Sequence, residues 1–122
     1  MGLILTTEQA LKLWHSVFAQ CVSGEWADLT MRQMALLLTV YMTPPEHTVR
    51  GLAKGLNISK PAVTRGLDRL AKLGLIRRKR DDGDKRNVLV QRTVKGSVYL
   101  SELADLIGDA SAVALADSRD AA

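Results

Sequence analysis

The sequence predicts a mainly α fold with a small β-wing, an α+β arrangement, and three observations carry that expectation. Apolar residues recur at helical spacing in five separate segments. After Gly74 the period shortens, and two short runs flank a polar, glycine-containing tip at 81–86. Thr, Ser, Asn, Gly and Pro stand where helices need starts and stops. A chain of 122 residues fits one domain, 1–122, and can bury a core without disulfides. Its single cysteine, Cys21, has no partner in the chain, which suits a reducing, cytoplasmic compartment.

Each element follows from its residues. In a first helix, 7–23, Leu11, Trp14, Phe18, Cys21 and Val22 form one apolar stripe. Thr6 or Thr7 caps its start, and Gly24 stops it. Trp14 and Trp26 read as core rather than as the lining of a ligand box. A second helix runs from Thr30 to about Met42. Met31, Met34, Ala35, Leu38, Tyr41 and Met42 keep helical spacing, and Leu36 and Leu37 make it apolar nearly all round, as suits the middle of a core. Pro44 and Pro45 end it.

An extended piece at 47–49 precedes a helix over 50–56 with Leu52, Ala53 and Leu56 inward. Asn57 tolerates the left-handed conformation that closes it. Ser59 then caps a helix over 60–73, with Pro61 in its first turn and Val63, Leu67, Leu70 and Ala71 inward. Strands are expected at 75–80 and 87–92. Thr93 caps a last helix, 93–116, in which Leu100, Leu103, Ile107, Ala110 and Ala114 repeat at coiled-coil spacing. The end from Asp117 onward is expected to fray.

Charge separates the possible functions. The net charge is +4, but fourteen Lys and Arg against four Asp fall between Arg50 and Tyr99, leaving −6 for the rest. Such a block is the footprint of a polyanion binder. A lipid surface is disfavoured, because the apolar faces are needed for the core, and no apolar run approaches a membrane span. The N-terminal run Leu3-Ile4-Leu5 lacks the basic flank of a signal peptide. No catalytic constellation or phosphate loop stands out, so an enzyme is not expected. His15 and His47 are far apart and have no cysteine at zinc spacing, so neither metal nor cofactor is expected. Cys21 has no base close in sequence to activate it and reads as a small apolar residue rather than a redox sensor.

Two short helices joined by a tight turn and followed by a basic hairpin make a winged helix-turn-helix. The outer face of helix 60–73 presents Lys60, Thr64, Arg65, Asp68, Arg69 and Lys72. A helix of this diameter fits the DNA major groove, where arginine pairs with guanine and threonine meets a thymine methyl. Asp68 is read as the partner of Arg65, Lys72 or a wing arginine rather than as a reader of cytosine. The candidate DNA-binding set is Ser59, Lys60, Pro61, Ala62, Thr64, Arg65, Arg69, Arg78, Arg80, Asp84, Lys85 and Arg86.

The segment from Leu52 through Ile58-Ser59-Lys60-Pro61 to Leu73-Gly74-Leu75-Ile76-Arg77-Arg78 resembles the MarR family of bacterial transcription regulators. So do Asp84-Lys85-Arg86 in the wing and Thr93-Val94-Lys95-Gly96 after it. That resemblance implies a homodimer on a palindromic operator, residues 30–92 as the DNA-binding lobe, and Arg86 in the minor groove oriented by Asp84. The dimerisation role falls on helices 7–23 and 93–116, through Leu11, Trp14, Phe18, Leu100, Leu103, Ile107 and Ala110. The expected function is sequence-specific binding of double-stranded DNA, with repression at a promoter and a small-molecule effector left open. The alternatives are a winged-helix protein-interaction module and an architectural DNA binder without sequence preference.

Overall fold

Hydroxyl side chains decide where the helices begin. In a computed structural model, which describes residues 4–120 and the side chains of 4–116, the order is α1 (Thr7–Ser23), α2 (Met31–Met42), β1 (His47–Thr48), α3 (Val49–Leu56), α4 (Lys60–Lys72), β2 (Ile76–Arg80), β3 (Val88–Arg92) and α5 (Val94–Asp120). Thr6 and Gln9 close a capping box on α1, at 3.1 and 2.9 Å, and Thr30 and Gln33 close the same box on α2. Thr48 Oγ1 accepts from the Gly51 amide at 2.9 Å, Ser59 Oγ from Ala62 at 3.2 Å and Thr93 Oγ1 from Gly96 at 3.0 Å. Each cap contributes about 1 kcal/mol. Asn57 takes the left-handed conformation (φ 54°) that ends α3, and Gly74 (φ 79°) turns the chain from α4 into the wing.

Several boundaries differ from the sequence expectation. Because Thr48 is the cap, α3 begins at Val49 and the extended piece shrinks to two residues. Those two residues nevertheless form a third strand: the sheet order is β1-β3-β2, all antiparallel, with His47 opposite Val90 and Thr48 opposite Leu89. Helix α5 continues to Asp120, past the expected end at 116. Residues 1–3 and 121–122, which include the start of the N-terminal apolar run and the tip of the tail expected to fray, lie outside the described residues.

The chain divides into two compact units, one of residues 29–99 and one of 1–28 with 100–122. In the first, Leu36, Leu37 and Val40 of α2 and Val63, Leu67 and Leu70 of α4 are fully buried, joined by Leu52, Leu75, Ile76 and Val90. Helix α2 is less enclosed than its composition implied. Met31 and Met42, at its two ends, are exposed, because the buried side is the 36-37-40 side. Gly66 lets α4 pack closely on α2: a Cβ there would meet Leu36 Cδ1 at 2.5 Å.

A polar hub locks the wing to this core. Tyr41 Oη donates to the Leu75 carbonyl at 2.6 Å and accepts from the Thr93 amide at 2.9 Å. Thr93 Oγ1 donates to the Gly74 carbonyl at 2.7 Å. Gly96 is required beside them, since a Cβ at that position would collide with Tyr41 Oη and the Leu75 carbonyl. The Thr93-x-x-Gly96 spacing is thus a packing requirement of the lobe. Arg92 belongs to the same architecture: it donates to the carbonyls of Val40 (2.9 Å) and Thr43 (2.8 Å), satisfying the C-terminal end of α2.

Among the described residues of the second unit the buried positions are Val17 on α1 and Leu103, Ala110 and Ala114 on α5. The apolar stripe of α1 is uncovered: Leu11 is 66% exposed, Trp14 57% and Phe18 48%. Trp14 is therefore not a core residue of the single chain. Its ring meets Phe18 edge to face at a centroid distance of 5.0 Å.

Candidate nucleic-acid interface

Helix α4 sorts its residues by face. Val63, Gly66, Leu67 and Leu70 are buried, and Lys60, Pro61, Thr64, Arg65, Asp68, Arg69 and Lys72 are exposed. The result is a helix held by its apolar side with a polar, net positive face outward, the geometry that major-groove reading requires. Ala62 departs from its expected place. It is 6% exposed, because its methyl falls on the inward face next to Val63. Its contribution at this end is a backbone one, the amide that Ser59 caps.

The wing adds charge from a second element. Along β2 only Ile76 is buried, and Arg77, Arg78, Lys79 and Arg80 are all exposed. Alternation divides them. Arg78 lies opposite the buried Val90 and Arg80 opposite Val88, so these two leave the sheet on its core side. Arg77 and Lys79 leave on the other face, opposite Gln91 and Leu89. Arg78 ion-pairs with Asp68 of α4 through NH1 and Oδ1. Of the partners the sequence offered for Asp68, the fold selects the wing arginine.

The wing tip is ordered by its acids. Asp81 Oδ1 accepts from the Gly83 amide at 2.9 Å. Asp84 Oδ1 accepts from the Arg86 amide at 3.1 Å and from Arg86 Nε at 3.3 Å. Arg86 remains strongly exposed, with Lys85 beside it. A carboxylate held by its own turn thus aims an arginine outward, a suitable probe for a narrow, electronegative groove.

The remaining candidates divide as follows. Leu103 and Ala110, expected at a dimer interface, are buried in the single chain, and Leu100 is half-buried. Leu11, Trp14, Phe18 and Ile107 present apolar surface. Burial pushes the half-buried Cys21 thiol above its ordinary value, which disfavours the reactive thiolate. Among the described residues no His, Cys, Asp and Glu cluster could hold a metal, and no helix is long and apolar enough to cross a membrane. Sequence reasoning missed the Tyr41 hub and the structural use of Arg92. A phenol within an apolar helix and a basic residue within a basic run give no separate signal.

Comparison with known proteins gives this geometry a lineage. Residues 29–88 match the model of the MarR family. The fold resembles that of MarR, at 25% identity over 88% of this chain and 78% of that one, with a TM-score of 0.68. It also resembles the transcriptional repressor CouR bound to a 23-mer DNA duplex, at 26% identity over 92% and 80% of the two chains and a TM-score of 0.69. A mutant MarR from E. coli complexed with operator DNA matches at 27% identity over 84% and 68%, with a TM-score of 0.64. Through residues 29–88, within a winged-helix fold shared along most of its length, the chain belongs to the MarR family of transcription regulators.

Proposed function

We propose that this DNA-binding transcription regulator acts as a cytoplasmic homodimer that reads a palindromic operator and represses by covering a promoter. The observation that carries the reading is the exposed face of α4, Lys60, Thr64, Arg65 and Arg69, flanked by Arg78 and Arg80 of the wing and by Arg86 at its tip. Arg65 and Thr64 read base edges, Ser59, Lys60 and Pro61 seat the helix N-terminus against phosphates, and Arg86 enters the adjacent minor groove. The relatives solved with a DNA duplex and with operator DNA support this assignment.

The homodimer is supported by the uncovered stripe of Leu11, Trp14 and Phe18, joined by Ile107 on α5. A second copy is the occupant that suits it, since a palindrome is read by two related copies whose reading helices must stand about 34–36 Å apart, one turn of DNA. The test is selection of bound duplexes from a randomised pool at physiological salt with excess competitor DNA. The expected result is enrichment of an inverted repeat with half-sites one turn apart. Enrichment of no sequence favours an architectural binder, and no retention of DNA favours a protein-interaction module.

A further inference from the structure

We propose that Asp68 is a selectivity-determining positioning residue: by holding Arg78 it suppresses binding to DNA of the wrong sequence. This rests on the DNA-reading assignment above and assigns the acid within it a role of its own. Asp68 is the sole acidic residue of α4 and stands on its outward face, in the i, i+4 row with Lys60, Thr64 and Lys72. A carboxylate there repels phosphate, so a face built for affinity alone would not carry it. Three ion pairs occur among the described residues, and two of them join an acid of the basic block to an arginine of the wing: Asp68 with Arg78 and Asp84 with Arg86. The first crosses from α4 to the first long strand of the wing, ten residues apart in sequence.

The geometry decides what this tie does. Arg78 leaves β2 on the side of the buried Val90, and its side chain is 33% exposed. Its guanidinium is held beside the outward face of α4 by Asp68. The bond to Asp68 uses NH1 alone, and a guanidinium has five N–H donors. Arg78 therefore keeps donors for one phosphate at one place, and that place is set by the register of wing and helix. Binding to any sequence is driven by mobile cations finding phosphates. Fixing Arg78 and leaving a negative charge in the row of Thr64 penalises poses in which α4 lies on the phosphate ribbon instead of in the groove.

The test compares the duplex that the wild-type chain enriches from a random pool with a scrambled duplex of equal composition. Asp68→Asn is expected to bind the scrambled duplex several-fold more tightly, and the selectivity ratio is expected to fall on the order of tenfold. Asp68→Glu, which restores the charge, is expected to recover most of the ratio. Arg78→Gln is expected to lose the ratio too, with no further loss in the double variant. A purely structural role makes Asp68→Asn lose both duplexes equally, in step with its melting temperature, and that outcome overturns the proposal. An unchanged ratio in a folded variant overturns it as well. If Asp68→Asn does not fold, Arg78→Lys decides, a lost ratio supporting the proposal and a retained one overturning it. A wild-type chain that discriminates between no duplexes removes the DNA-reading assignment itself, and this proposal with it.

Discussion

Helices α1 and α4 are both amphipathic, and they dispose of their apolar sides in opposite ways. Helix α4 buries Val63, Leu67 and Leu70 completely, so what it offers outward is charge. Helix α1 buries Val17 and leaves Leu11, Trp14, Phe18 and Val22 uncovered. The first is a finished structural element whose free face is available for recognition. The second has unmet hydrophobic demand, which the proposed second copy would satisfy. An apolar stripe in sequence is therefore ambiguous, since it marks burial without saying whether the chain's own core or a partner supplies it.

The contrast is sharpest in stability. Leu67→Ala is expected to lower the unfolding free energy by about 3 kcal/mol, measured by urea denaturation, at any protein concentration. A cost below about 1 kcal/mol contradicts the burial that anchors α4. Replacing Trp14 and Phe18 together with Glu acts on the other helix. The molecular mass in light scattering is expected to halve, and the melting temperature to lose its dependence on protein concentration. A mass equal to the wild type removes α1 from the interface.

Smaller effects probe the free face of α4 and the wing. Arg65→Ala is expected to cost roughly 1–3 kcal/mol of discrimination between the enriched duplex and its point variants, read by competition titration. Equal discrimination removes Arg65 from base reading. Arg86→Ala is expected to reduce the slope of log affinity against log salt by about two units for every duplex, about one for each subunit of the dimer. An identical slope separates the wing tip from the phosphates.

Most of the lobe was legible because its signals are local. Asn57, Ser59, Pro61 and Gly74 each mark a backbone need that few residues meet, and the structure uses each as expected. The outward set on α4 followed from periodicity, except Ala62, a small residue that a helical wheel places at the margin of the buried face. What escaped depends on contacts distant in sequence. Strand β1 is two residues long, and nothing within His47-Thr48 announces its pairing with Val90 and Leu89. Arg92 falls within the basic block of the sequence, yet the fold spends it on the carbonyls of Val40 and Thr43. Asp68 had three plausible partners, and only the strand register of Arg78 against Val90 selects one.

The central claim is that the outward face of α4 and the tip of the wing meet duplex DNA together. Hydroxyl-radical footprinting of the intact chain on its enriched duplex tests this most directly. The expected pattern is two protected backbone segments flanking successive major grooves one turn apart, each with a minor-groove patch that disappears in Arg86→Ala. Uniform cleavage along the duplex, or protection unaltered by Arg65→Ala and Arg86→Ala together, would contradict it.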